Sequence, residues 1–383
     1  MIDLAVAAAT AQLVYQRQAD KPIGETTMPH ALWVRKSDPE VSTLSDQPLV
    51  PLADGAARLR VESFAVTANN VTYALFGDIM SYWEFFPASD DWGIVPVWGH
   101  AVVESSNCPE VAVGERLYGY LPTATHLDVL PGEVSAAQFT DTSAHRRPMS
   151  PFYNQYARLQ ADPEHDPANE DARMIFGPLF KTGFLIEAFY RRNDWFGAQQ
   201  VVMTSASSKT ALALAYCARI GSPQIRRIGL TAPAHIDFVH ASGQYDEVLT
   251  YDEVDSITVA PSVAVDFAGN AGVLRAIHTR LPELRYSSTV GMTHVGAPAD
   301  NDDPLPGPAP LLFFAPSEAV EAIKALGAER FTDAVAAAWA GFLSQTPLFF
   351  GIEHRDGLAA AQDAFATTLA GRQSPDTGIV IRL

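Results

Sequence analysis

Residues 201–221 read VVMTSASSKTALALAYCARIG, and this stretch decides the fold. The apolar run Val201-Val202-Met203 stops at small hydroxylated residues. A helix-period apolar pattern then runs to Gly221, a residue suited to the C′ position of a helix. Strand, tight turn and helix in that order are how a doubly wound α/β sheet places a dinucleotide pyrophosphate on a helix N-terminus. Glycines are usual in the turn because backbone must approach the pyrophosphate closely. Here Ser207, Ser208, Lys209 and Ala211 stand there instead.

Outward from the turn, residues 199–291 alternate strand and helix: QQVVMT, a helix over 207–220, IRRIGLT, a PAHIDFVHASG helix, DEVLTY, SVAVDFAGN, a GVLRAIHTRL helix and YSSTVGM. That order predicts a parallel sheet with right-handed crossovers. Upstream, residues 1–130 read as β-rich. LRVESFAVTANNVTYALFG (59–77) begins with alternation and ends in a turn, and PVWGHAVVESSNCPEVAVGERLYGYLP (96–122) gives strand, turn and strand around Gly114-Glu115. LDVLP (127–131) is a further short strand. Residues 131–175 are polar and proline-punctuated, the pattern of a long functional loop. One apolar-faced helix is expected over 176–193 after Pro178. Residues 300–310 read as a loop, 318–343 and 356–371 as helices, and GIVIRL as a closing strand.

The chain has 383 residues, 48% of them hydrophobic and 18% charged, enough for two domains with a sizeable core. A formal net charge of −18 argues against nucleic-acid or anionic-membrane partners, which need a basic face. Cys108 and Cys217 are the only cysteines, far apart and without a Cys/His cluster, so no structural zinc site and a reducing, cytoplasmic compartment are expected. The N-terminal MIDLAVAAATAQLVYQ carries Asp3 and no basic leader, and reads as a strand or helix start rather than a signal peptide.

In their order, ANNVTYALFG (68–77), PVWGHAVVESSNCPEVAVGERLYGY (96–120), the 201–221 stretch, SVAVDFAGNAGVL and GRQSPDTGIVIRL resemble segments of the medium-chain dehydrogenase/reductase superfamily, in its zinc-free quinone/enoyl reductase branch. F-x-P-L-F-K-T-G-F and S-A-S-S-K-T-A resemble, more narrowly, the branch labelled DUF2855. The resemblance implies an α/β fold of two parts. These are a GroES-like β domain over 1–170, completed by 316–383, and a Rossmann-type doubly wound parallel sheet over 176–315, with the site in the cleft between them. It implies hydride transfer to an activated C=C bond of a small-molecule substrate. Carbonyl/alcohol interconversion and a binding role without turnover are the alternatives. It also implies a homodimer, joined along LLFFAP (311–316). A catalytic zinc is not expected: the superfamily's G-H-E segment reads Gly99-His100-Ala101, its cysteine position reads Ala68-Asn69, and such a zinc needs three protein ligands.

Site candidates follow. Ser207, Ser208 and Thr210 offer hydroxyls and Lys209 a charge to the pyrophosphate. The second strand ends Gly229-Leu230-Thr231-Ala232 with no acid for a ribose diol, which favours the 2′-phosphate of NADP, with Thr231, His235, Lys209 and Arg226 near it. At the reacting end, the resemblance puts Asn70 and Tyr73 in the substrate segment, where an amide or phenol suits the developing oxyanion. It puts Lys181 and Thr182 on the helix that faces the nicotinamide. His100 is a candidate acid, and Tyr153 and Tyr156 are candidates for a lid.

Overall fold

The computed structural model describes residues 30–46, 48–290 and 304–383. The N-terminal stretch read as a strand or helix start lies outside them. Its strands are β1 (His30–Arg35), β2 (Asp38–Asp46), β3 (Ala57–Val66), β4 (Trp92–Ile94), β5 (Pro96–Ser106), β6 (Arg116–Pro122), β7 (His126–Val129), β8 (Pro131–Gly132), β9 (Gln138–Asp141) and β10 (Gln155–Arg158). There follow β11 (Gln200–Met203), β12 (Arg226–Thr231), β13 (Glu247–Thr250), β14 (Ser262–Asp266), β15 (Leu284–Thr289), β16 (Leu311–Leu312), β17 (Gly351–Asp356) and β18 (Thr377–Arg382). The helices that position the site are α1 (Ala68–Leu75), α2 (Glu170–Arg192), α3 (Lys209–Gly221), α4 (Ile236–Ser242), α5 (Ala271–Arg280), α6 (Ala315–Leu326), α7 (Ala328–Gln345) and α8 (Gly357–Leu369).

β11 is buried along its whole length, as a central strand covered on both faces must be. It pairs in parallel with β12 on one side and β14 on the other, and the sheet runs β13-β12-β11-β14-β15-β16. The strand order reverses between β11 and β14, so a crevice opens outside their carboxyl ends. Ala211, Leu214 and Ala218 of α3 pack on Val201 and Met203, while Ile277 and Leu281 pack on the other face against Val202 and Ala264. Gly221 is the last residue of α3, not a residue beyond it. A Cβ there would lie 2.8 Å from Glu187 Oε1, so close approach explains the glycine.

The second large sheet has the order β17-β18-β3-β5-β6-β10-β9-β8, with β7 on β3. Its apolar side chains, including Leu59, Phe64, Val97 and Leu121, pack on Leu358, Ala361 and Phe365 of α8. A small sheet β2-β1-β4 completes this half.

Several expectations change. The end of 59–77 is α1, not a turn: Thr67 caps it, accepting from Asn69 N, and the Asn70 side chain closes a capping box. Residues 131–175 hold β8, β9 and β10 rather than an unstructured loop. The helix expected after Pro178 starts eight residues earlier at Glu170, with Pro178 inside it. The single helix expected over 318–343 breaks at Gly327, whose φ of 85° ends α6 and starts α7. Residues 316–383 do not all join the antiparallel half, since Ala319 and Ala322 of α6 lie in the core beside β11.

α2 links the two halves. Ile175 and Phe176 sit in a core with Ala65 and Val380, and Leu185, Ile186 and Tyr190 in the core under β11. Gly183 lets α2 lie against α3: a Cβ there would meet Leu214 N at 2.6 Å and Ala213 Cβ at 2.7 Å.

Candidate functional site

The turn after β11 is built without glycine. Ser205 takes the left-handed conformation, φ 48°, where glycine is the usual solution. Its N–H donates to Tyr251 Oη at 3.1 Å, and Tyr245 Oη donates to Ala206 O at 2.8 Å. Two phenols thus hold the backbone that small residues would otherwise free. Ser208 caps α3, its Oγ accepting from Ala211 N at 3.3 Å.

This turn opens on a cavity of about 1270 Å³ between the parallel sheet and the antiparallel half. Pockets for one small ligand hold roughly 300–1,000 Å³, so this one has room for two ligands. Its floor is the carboxyl edge of the parallel sheet: Ser205, Thr231, Tyr251, Asp266 and Thr289 all line it. Asp266, buried at the end of β14, accepts from Thr204 Oγ1 at 2.5 Å and from Ala268 N at 3.0 Å, which fixes the crevice between β11 and β14.

Ser207, Ser208, Lys209 and Thr210 line the cavity at the N-terminus of α3. The Lys209 ammonium lies 5.1 Å from the Phe350 ring centroid and has no ion-pair partner within 4.0 Å among the described residues. Burial draws its pKa down to about 8, partly offset by the carboxylate of Asp376. Thr231 and His235 line the cavity at the end of β12; Thr231 Oγ1 is buried without a partner among the described residues, and His235 Nδ1 meets Ser207 Oγ at 3.1 Å. Arg226 does not reach this corner. It lies at the start of β12, paired with Glu247 at 3.0 Å.

The far wall is aromatic. Tyr73 of α1 is buried and lines the cavity, its Oη accepting from Asn69 Nδ2 at 2.5 Å and Trp98 Nε1 at 3.3 Å. Both neighbours donate, and the Tyr120 hydroxyl is a further hydrogen-bond partner of the phenol. Burial raises this phenol above its ordinary value of 10.0, keeping it protonated. Asn70 does not face the cavity; its Oδ1 accepts from Thr67 N and its Nδ2 donates to Pro96 O, each at 2.7 Å, tying α1 to β5. Lys181 and Thr182 line the cavity from α2; Lys181 pairs with Glu164 at 2.8 Å, and Thr182 Oγ1 donates to Pro178 O at 3.0 Å. His100 is fully buried outside the cavity lining, with both ring nitrogens unpartnered among the described residues, and burial pulls it down to about 3, so it is neutral at pH 7. Tyr153 lines the cavity, whereas Tyr156 is buried beneath it and donates to Tyr120 O at 2.8 Å.

Trp98, Tyr118 and the ion pair Arg173–Asp162, at 2.6 Å, also line the cavity, and the sequence reading did not single them out. The Arg173 guanidinium stacks 4.1 Å from the Tyr118 ring centroid. No group of three metal-ligating side chains occurs among the described residues.

Residues 64–374 match the family model described as "Protein of unknown function (DUF2855)". The chain belongs to this family. Among curated proteins none matches the DUF2855 chain. Solved structures share its fold. CurA from Vibrio vulnificus in complex with NADPH has a TM-score of 0.56 at 14% identity, covering 89% of this chain and 94% of that one. Mycobacterial Rv1454c complexed with NADPH gives 0.55 at 14% identity, covering 93% and 100%. JamJ enoyl reductase, in its apo form, gives 0.56 at 9% identity, covering 93% and 99%. The DUF2855 chain thus has the two-part fold of a GroES-like domain joined to a Rossmann-type sheet.

Proposed function

We propose that this protein is an NADPH-dependent, metal-free oxidoreductase that reduces an activated C=C bond. The observation that carries this reading is the single cavity that joins the Lys209 ammonium at the α3 N-terminus to the Tyr73 hydroxyl. The residues fit the cofactor. Lys209 and the α3 N-terminus, with Ser207, Ser208 and Thr210, suit a pyrophosphate, and Thr231 with His235 and Ser207 suits a 2′-phosphate. NADPH, when bound, supplies the hydride.

The chain's own residues orient the substrate, and the proton that completes reduction at the neighbouring carbon comes from solvent. Tyr73 donates to the carbonyl oxygen as negative charge develops there, and Asn69 and Trp98 hold the phenol in place. Lys181, held by Glu164, and Thr182 border the nicotinamide end. The fold shared with two NADPH complexes and an enoyl reductase supports the assignment.

Titration of NADPH and NADH by fluorescence, followed by turnover on enones, quinones and aldehydes, tests it. NADPH oxidation by an enone or quinone is expected; oxidation by aldehydes alone would move the reading to carbonyl reduction. A second reading, binding without turnover, draws on the Ser205 N–H already held by Tyr251. NADPH binding with no oxidation by any acceptor would favour it. Elemental analysis should find no stoichiometric zinc.

The assembly we propose is a homodimer paired through β16, whose Leu311 and Leu312 form an exposed edge. Light scattering reads its mass. The buried free thiols of Cys108 and Cys217 support a reducing, cytoplasmic setting. No helix among the described residues is long and apolar enough to cross a membrane.

A further inference from the structure

The cavity has a rim whose chemistry the reduction does not use. Ile79 and Met80, after α1, line the cavity yet are exposed, Ile79 by 78%. Phe152, in the single helical turn Pro151–Asn154, is 41% exposed and also lines it. From the other half, Phe314 at the start of α6 does the same, 41% exposed. Exposed apolar side chains scattered singly are ordinary. Four on the lining of one cavity are a different matter, because apolar lining left in water is surface that a ligand can cover.

The path inward is apolar as well. Thr72, Tyr73, Phe76, Ile79 and Met80 follow one another along α1 and the segment after it, and no charged side chain lines the cavity between Tyr73 and Met80. The charged lining lies elsewhere, on α2, on the segment before it, at the α3 N-terminus and at the end of β14. A small polar substrate held at Tyr73 would leave this rim in water.

We propose that the substrate is a lipophilic enone with an extended apolar tail, its carbonyl at Tyr73 and its tail laid along α1 and out over Ile79, Met80, Phe152 and Phe314. This rests on the reductase reading above. Each methylene taken from water into such a path strengthens binding by up to about fourfold.

The test uses two homologous series on the full chain. One is 3-alken-2-ones of increasing alkyl length, read as kcat/KM with NADPH. The other is saturated 2-alkanones of the same lengths, which cannot be reduced at C=C, read as Kd by tryptophan fluorescence. Both should improve about two- to fourfold per methylene until the tail clears the rim. The double variant Ile79→Ser/Phe152→Ser should flatten the long-chain part and leave the shortest member within about twofold, and Phe314→Ser should do so in part. Leu348→Ser, at an exposed apolar residue away from the cavity, should change neither series. Flat series, or slopes that the rim variants leave intact, would overturn the tail site. Ketones that bind with the expected slope while no enone oxidises NADPH would overturn the reductase reading and leave the tail site standing.

Discussion

Asn69 Nδ2 donates to Tyr73 Oη at 2.5 Å, one turn along the same helix. With Trp98 Nε1 as second donor and the Tyr120 hydroxyl beside it, the phenol is held in place on the cavity wall. Tyr73→Phe should therefore lower kcat about 10²–10³-fold, the usual cost of losing one oxyanion donor. Folding and NADPH affinity should be unchanged. Burial raises the phenol above 10.0, so the wild-type rate should show no alkaline limb from this group below pH 10. A pH profile of kcat reads both effects.

Lys209 gives the cofactor site a pH dependence of defined sign. Its ammonium, with a pKa of about 8, is charged below that pH and neutral above it. NADPH affinity should be full at pH 7, fall as pH rises through 8, and weaken with salt. Lys209→Ala should weaken binding by about 1–3 kcal/mol at pH 7 and remove the pH dependence. Equal loss for NADPH and NADH places the ammonium at the pyrophosphate; a larger loss for NADPH places it at the 2′-phosphate. Fluorescence titration at several pH values measures all three.

His235 should govern the choice between the two cofactors. Burial keeps its imidazole below the ordinary 6.5, so at pH 7 it is neutral and held by Ser207. Protonation on acidification adds charge beside a 2′-phosphate, so the preference for NADPH should rise as pH falls toward 5. His235→Ala should abolish that rise, which lowers the preference by about tenfold at pH 5, the scale of one charge-assisted contact, and changes it little at pH 7. The ratio of NADH to NADPH dissociation constants reports it.

Gly183 ties stability to the site. A Cβ there would lie 2.6 Å from the backbone of α3, so α2 must move to admit it. Gly183→Ala should cost about 1–3 kcal/mol by overpacking. Because Thr182 and Lys181 precede it on the cavity wall, KM should rise as well. Thermal unfolding and steady-state kinetics separate the two.

The parallel half was legible because its strands are buried on both faces and therefore read as unbroken apolar runs, with Val201-Val202-Met203 the clearest. That Ser207 to Thr210 and Thr231 share one cavity was legible for a related reason: all sit at strand ends, where order along the chain fixes position in space. The substrate wall was harder. α1 was missed because its capping box uses Asn70 where glutamate or glutamine is usual. The sequence points to Asn70 as a site residue, but its amide is spent on Thr67 and Pro96, while its neighbour Asn69 touches Tyr73. The first half of α2 was missed because Pro178 reads as a helix start, although a packed helix can carry it inside. Trp98, Tyr118 and Arg173 meet only through pairing of β5 with β6 and the docking of α2, which no local pattern records.

α2 spans 23 residues, about 35 Å, and is anchored at two points. Arg116 grips Glu170 at its start, and Gly183 meets Ala213 about three-fifths of the way along. One residue added or removed between those anchors would turn the far part by about 100° and carry Gly183, Lys181 and Thr182 off their faces together. In a lineage of such chains, this stretch should therefore accept changes of letter but not of length. Gaps in an alignment should fall outside it, and the spacing from Glu170 to Gly183 should outlast the identity of most residues within it.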